Sequence, residues 1–261
     1  MENAGKWFPA PKNGERLVAV EGINLTIPDE EDGEFLVILG PSGCGKSTLL
    51  RVLAGVSLPD TGEVRLFGKP VTGPTPEAVT VPQAYTCFPW LTVLGNVEFG
   101  LSIQGRSAAE RRETALEYLE KVGLRDRQGA RPRELSGGMQ QRVAIARTLA
   151  MKPPIVLMDE PFGALDAQTR SEMQQMLLRL WSAERNLIVF ITHDITEALL
   201  LADRIVVLSP RPATIIRDIK IPFPRPRDPS LVRQQVFMDL SQALLELLKS
   251  SSGSGQVRVS V

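Results

Sequence analysis

The chain has 261 residues, of which 43% are apolar, enough to enclose a full hydrophobic core. Thirty basic and thirty acidic side chains cancel, so no global charge grips nucleic acid or anionic lipid, although a local patch stays open. Two cysteines, Cys44 and Cys87, argue against a disulfide framework or metal site; no apolar run spans a bilayer, and Met1 to Lys6 lacks a secretory signal's apolar centre, pointing to the reducing cytosol.

Residues 17–27 include a period-2 stretch that reads as an antiparallel strand, and the acidic residues 28–34 read as a turn. Phe35 to Leu39 is a continuous apolar run, predicted as a buried strand. It leads into Gly40-Pro41-Ser42-Gly43-Cys44-Gly45-Lys46-Ser47-Thr48 and then the helical Leu49 to Ala54. Strand, glycine-rich turn and helix together form the context of a phosphate-binding P-loop. The glycines let successive N–H groups point at phosphate oxygens from a helix N-terminus. Lys46 would reach the β- and γ-phosphates, and the Ser47 hydroxyl would sit on Mg²⁺. Pro59 to Glu63 reads as a turn, Val64 to Phe67 and Val79 to Val81 as strands, the last followed by Pro82-Gln83.

Ala84 to Gly105 is richer in aromatics, Gly and Pro, with Phe88-Pro89-Trp90-Leu91-Thr92-Val93 at its centre. Ser107 and Glu110 form a capping box opening a helix that presents Leu116, Leu119 and Val122 and closes at Gly123. A further helix is predicted from Ser136. Residues of about 84–150 therefore read as a helical subdomain inserted into a nucleotide-binding core of residues 1–83 and 151–220. Two buried parallel strands are predicted at Ile155 to Met158 and Leu187 to Ile191, and Ala202 to Leu208 ends the core. Within residues 221–249, Ile221 to Pro229 is a proline-rich linker. Leu231, Val236, Phe237, Leu240, Leu244 and Leu248 then recur at helical spacing, predicting an amphipathic helix packed on its own domain. Residues 250–261 read as a disordered tail.

The chemistry-bearing residues fall at strand ends, where open parallel sheets place their ligands. Asp159 suits the Mg²⁺ shell through water, and Glu160 would polarise an attacking water. His193, the sole histidine, ends a strand on the side expected for the γ-phosphate. Ser136-Gly137-Gly138 opens a helix without any lysine. It is either a plain N-cap or a second anion cradle, the latter serving the ATP of another subunit.

These motifs, in this order, resemble the ATP-binding-cassette ATPase family over nearly the whole chain. The P-loop is Gly40 to Thr48, the Q-loop residue Gln83, the signature Leu135 to Met139, the Walker B end Asp159-Glu160, the D-loop Ala164 to Asp166, and the switch histidine His193. The resemblance implies an α/β fold: a P-loop NTPase core with a mainly parallel sheet and flanking helices, an antiparallel β segment and the inserted helical subdomain. It implies that ATP lies between the P-loop of one subunit and Ser136, Gly137 and Gly138 of a second ATPase subunit. Gln83 would sense Mg²⁺ and Glu160 would be the hydrolytic base, with Asp166 also at the nucleotide. Met139 departs from the glutamine of the strict signature. The family's first strand carries an aromatic that stacks on adenine; Met1 to Lys6 is too short and polar for that strand, so the start reads as truncated or divergent. Phe8 is the stacking candidate, with Trp7 second.

The finer resemblance is to importers of nitrate, sulfonate, taurine and bicarbonate, carried by Phe88 to Val97 and by Ile221-Pro222-Phe223-Pro224-Arg225-Pro226-Arg227-Asp228. It implies an ATPase on the cytoplasmic face of the membrane, held by integral-membrane permease subunits and served indirectly by a solute-binding protein. A groove near Phe88 to Val97 would receive a permease helix, unless those rings lie in the subdomain's own core. The alternative is a soluble ABC ATPase acting on DNA or the ribosome. Each motif occurs once and no sustained heptads interrupt the core, which disfavours it.

Overall fold

The computed structural model describes residues 1–9, 16–28, 33–84 and 86–252. In chain order its first elements are β1 Glu2–Pro9, β2 Arg16–Ile23, β3 Phe35–Leu39, α1 Lys46–Leu53, β4 Thr61–Glu63, β5 Arg65–Leu66 and β6 Lys69–Pro70. Next come β7 Ala78–Val81, α2 Val93–Ile103, α3 Ala108–Lys121, α4 Gly137–Ala150, β8 Ile155–Asp159, α5 Ala167–Glu184 and β9 Leu187–Thr192. The chain closes with α6 Ile195–Leu201, β10 Arg204–Leu208, β11 Ile215–Lys220 and α7 Gln235–Ser252. The fold is mixed α/β, dominated by parallel sheet, with additional antiparallel strands. The expectation for residues 250–261 lies, beyond Ser252, outside the described residues.

The chain divides into two compact units. The first is built from residues within 1–29, 35–73 and 191–261. Here β3 runs parallel to β10, and β11 pairs antiparallel with β10. Every residue of β3 is fully buried, as its unbroken apolar run requires. A second sheet has the order β2-β1-β4, with β1 antiparallel to both neighbours. This corrects the expectation that Met1 to Lys6 is too short and polar to form the first strand. Only Ala4 and Gly5 of β1 are buried, so side-chain pattern is faint. Its backbone is laddered on both edges, and Asp60 accepts from Trp7 N–H at 2.8 Å and Lys6 Nζ at 3.2 Å. The neighbouring Thr61–Glu63, expected as a turn, is drawn into strand β4 by that same pairing.

The second unit is built from residues within 30–34 and 74–190. Its strands are β7, parallel to β8, and β9 on the other side of β8, the last two residues of β9 continuing into the first unit. Helices α2, α3 and α4 pack on one another, and α4 also meets β7 and α5. α3 carries the predicted capping box: Ser107 Oγ accepts from Glu110 N–H, and the Glu110 carboxylate accepts from Ser107 N–H at 2.9 Å. Tyr118 is fully buried, its phenol donating to Glu184 on α5. Burial, then that hydrogen bond and the Glu184 charge, push the phenol pKa strongly upward.

α7 forms where helical spacing predicted it and packs on α6; its Phe237 and Leu244 are buried, Phe237 stacked on Phe223 at 5.8 Å. Val236, expected on the buried face, is 58% exposed. Leu231 lies before the helix, in a 3₁₀ turn at Pro229–Arg233.

Candidate nucleotide-binding site

The phosphate-loop residues all lie in the first unit. Gly45 caps α1 with φ 128°, a conformation open to glycine. A Cβ there would stand 2.5 Å from Ala19 O, so strand β2 also leaves no room for one. Lys46 is 4% exposed, with Nζ donating to Gly40 O at 2.9 Å and Pro41 O at 3.0 Å. Its charge is thus held against the loop's own carbonyls. Ser42 and Gly43 form the exposed crest, while Ser47 and Thr48 are half-buried on the first turn of α1. Cys44 is buried, and burial raises its thiol pKa against the opposing pull of Lys46.

Arg211 was not anticipated from the sequence. Its guanidinium donates to Gly43 O at 2.8 Å, 168 residues away in the chain. The loop that presents it is pinned to β2 by Ala213 N–H to Ala19 O and Glu21 N–H to Ala213 O, both 3.0 Å. Only the folded chain brings these groups together. Phe8 lies on β1 opposite Leu17, 37% exposed, with Lys6 Nζ 5.8 Å from its ring centroid. Trp7 instead carries the Arg16 guanidinium 4.9 Å from its ring centroid. His193 is exposed, between the buried Thr192 that ends β9 and Asp194 that caps α6.

The remaining predicted residues lie in the second unit. Asp159 ends β8, and Glu160 follows it with φ 41°, both half-buried. A glutamate in the left-handed region is a strained backbone position of the kind that clusters at functional sites. Gln83 is exposed just after β7. Ser136 is the exposed N-cap of α4, its Oγ accepting from Met139 N–H at 3.3 Å. Leu135 is buried beside it, and Gln140 Nε2 donates to Pro132 O and Leu135 O, fixing the approach to the helix. Gly138 is buried, and a Cβ on it would lie 2.9 Å from Thr169 Cγ2 on α5. Asp166 is the N-cap of α5, accepting from Thr169 N–H at 3.0 Å. That bond holds its carboxyl below the usual range.

The aromatic segment of this unit is part core and part surface. Val93, Leu94 and Val97 are buried, whereas Trp90 is 67% exposed and Phe99 is 39% exposed. Phe88 stacks on Trp90 at 5.4 Å and tilts against Phe99 at 4.6 Å. The fully buried Asn96 holds the loop, accepting from Phe88 N–H and donating to Phe88 O and Thr92 O. Arg147 supports it from α4, 4.7 Å from the Phe88 ring and donating to Thr86 O at 2.9 Å.

A phosphate loop between a buried strand and a helix, on this mixed sheet, defines a P-loop nucleotide-binding protein. Residues 20–163 match the ABC transporter family, and the chain belongs to that family. It is 49% identical over 249 residues to an uncharacterized ABC transporter ATP-binding protein of Methanocaldococcus jannaschii, covering 95% of this chain and 90% of that one. It is 48% identical over 239 residues to the nitrate import ATP-binding protein NrtD of Synechocystis, covering 89% of each. The bicarbonate transport ATP-binding protein CmpD of Synechococcus elongatus is 42% identical over 252 residues, with 95% of this chain and 89% of that one covered. Among solved structures, an ATP-binding cassette dimer in a post-hydrolysis state bound to ADP and Pi matches with TM-score 0.74 and 34% identity. That match covers 85% of this chain and 98% of the other.

Proposed function

We propose that this ABC transporter ATPase powers an importer of a small solute, an anion such as nitrate or bicarbonate or a sulfonate such as taurine. It would act as a pair with a second ATPase subunit, beneath integral-membrane permease subunits supplied by a solute-binding protein. The observation that carries this reading is the 48% identity to a nitrate import ATP-binding protein across 89% of both chains. The bicarbonate transport relative supports the same group. None of the helices among the described residues is long and apolar enough to cross a membrane. A permease would therefore supply the membrane path, and exposed Trp90 and Phe99 offer an apolar surface for it. The DNA- or ribosome-acting alternative gains no support from these relatives.

In this reading the loop N–H groups and Lys46 hold the phosphates of ATP, and Phe8 stacks on adenine. Ser47, Gln83 and Asp159 would hold Mg²⁺. They are a hydroxyl, an amide and a carboxylate, a sparse oxygen set that fits an ion also bound by water and nucleotide phosphate. When bound, the ion neutralises charge on the phosphate oxygens. Glu160 would take the proton of the attacking water and His193 would hold the γ-phosphate side. Ser136, Gly137 and Gly138 would complete the pocket of the partner subunit, with Asp166 beside them, so neither half hydrolyses alone. Turnover then reports the closed pair, and release of the pair resets the permease.

The test is uptake by the complex reconstituted in vesicles with ATP inside and labelled nitrate, bicarbonate or taurine outside. Uptake of one of these, lost with Glu160→Gln, is the expected result. Steady hydrolysis without uptake of any of them, or stimulation by DNA, would remove the importer reading.

A further inference from the structure

The proline-rich segment after β11 is fastened to the rest of the first unit by two arginines. Arg227 has a side chain that is 1% exposed. Its Nη1 donates to Leu199 O at 3.4 Å, Leu200 O at 3.2 Å and Ala202 O, while Nε and Nη2 both donate to Phe223 O. Arg225 donates from Nη2 to Leu201 O at 2.6 Å and from Nε to Asp203 Oδ1 at 2.8 Å. The carbonyls of residues 199–202 are the four that a helix ending at Leu201 leaves without intrahelical partners. Both arginines together satisfy all four, and their charge lies at the negative end of the helix dipole.

The same cluster reaches the sheet. Asp203 Oδ2 accepts from Phe35 N–H at 3.0 Å and Asp203 N–H donates to Phe35 O at 2.8 Å, at the start of β3. Ile221 N–H closes the circuit on Asp203 O at 2.8 Å. Burial chiefly, then the neighbouring Arg225 against the pull of Asp203, brings the Arg227 pKa down to about 10. It stays a cation at neutral pH.

α6 has seven residues and rises about 10 Å. A helix this short is not stable by itself, so its ends and its packing decide where it sits. Its N-terminal end is Asp194, whose Oδ1 accepts from Glu197 N–H at 3.1 Å and whose own N–H donates to Thr192 Oγ1 at 3.0 Å. His193 lies between those two anchors. We propose that Arg227, with Arg225 and Asp203, is a positioning residue for His193: it grips α6 by its C-terminal carbonyls, so the tail sets where the histidine stands. The proposal rests on the role given to His193 above, and it makes the arginine-proline segment part of the ATPase machinery rather than a tether.

His193 is the sole histidine, so its imidazole gives one unambiguous NMR signal in the full chain. With Arg227→Gln that signal should shift or split, and kcat for ATP in the assembled complex should fall by about ten- to a hundredfold, as for misplaced catalytic groups. KM for ATP should stay within about twofold, since the phosphate loop is untouched. Arg227→Lys, which keeps the charge but not the planar fork, should recover part of both effects. Tyr118→Phe, in the other unit, serves as a control for lowered stability and should leave the imidazole signal in place. An unmoved signal with kcat per folded molecule within about twofold would overturn the proposal. So would a moved signal with full kcat while His193→Ala is inactive. If His193→Ala itself keeps full turnover, the histidine's assigned role fails, and the imidazole signal alone then decides whether the tail positions α6. Should Arg227→Gln not fold, Arg225→Gln carries the same readouts.

Discussion

At the scale of single residues, the turn after β3 and the end of β8 both contain backbone conformations that ordinary side chains resist. Glu160 occupies the left-handed region at φ 41°. Relieving that strain is worth about 1–2 kcal/mol, offset by about 0.5–1 kcal/mol for glycine's extra freedom when unfolded. Glu160→Gly should therefore recover part of whatever the lost side-chain contacts cost in stability, yet lose most ATP turnover. Glu160→Gln should keep ATP binding and lose about 10²- to 10⁴-fold in rate, the usual worth of a general base. Calorimetry and phosphate release check both, and undiminished turnover in either would remove Glu160 as the base. Gly45 is the opposite case, where the added atom has nowhere to go. Gly45→Ala meets Ala19 O at 2.5 Å at φ 128°, and strain and overlap together cost upward of about 2 kcal/mol. ATP binding measured by titration should disappear with a lowered unfolding midpoint; native affinity would contradict the close approach.

At the scale of elements, the helices of the second unit depend on buried polar contacts as well as apolar faces. Tyr118 of α3 and Glu184 of α5 form one such link, with Lys121 Nζ 3.8 Å from the same carboxylate. Tyr118→Phe leaves the part-buried Glu184 carboxylate short of its phenol donor. A hydrogen bond to a charged group is worth about 1.5–3 kcal/mol, so a comparable loss is expected in denaturant unfolding. A midpoint equal to the native one would mean that Lys121 or solvent replaces the phenol fully. The caps Asp166 and Ser136 differ in how they respond to acid. The Asp166 carboxyl lies below its ordinary value because it accepts from Thr169, so its contribution to α5 is complete above the ordinary Asp range. It fades as pH falls through the lowered value, whereas the Ser136 hydroxyl does not titrate.

At the scale of the whole molecule, the proposed coupling needs a surface that moves a membrane partner. Trp90 is exposed, stacked on Phe88, and its carbonyl accepts from Arg131. Large aromatics in such a setting are typical anchors of interfaces. Trp90→Ser should weaken capture of the permease subunits by about tenfold or more and reduce uptake accordingly. Recovery of intact complexes at native yield would place the docking surface elsewhere. The fold neighbours include a dimer bound to ADP and Pi, and ATP-dependent dimerisation of Glu160→Gln in light scattering would test the shared-pocket reading directly.

Much of this protein was legible in the chain because its strongest signals are local. Unbroken apolar runs announced β3, β8 and β9, the Ser107–Glu110 box announced α3, and the glycine-rich run announced the turn between β3 and α1. Those signals arise from neighbours in sequence, where periodicity and turn chemistry act. β1 escaped because its stabilisation lies in backbone ladders to β2 and β4 rather than in its own polar side chains. α2 was hidden by its aromatic and glycine content, Arg211 carried no local signal, and Arg227 stood out only as part of a proline-rich linker. The carbonyl that Arg211 meets lies 168 residues away and those of α6 that Arg227 meets lie 25–28 residues away, and no local pattern encodes such a pairing. The residue types and their order therefore determined the chemistry available, while tertiary structure alone decided which cations meet which backbone oxygens, because those contacts exist only once distant segments are packed together.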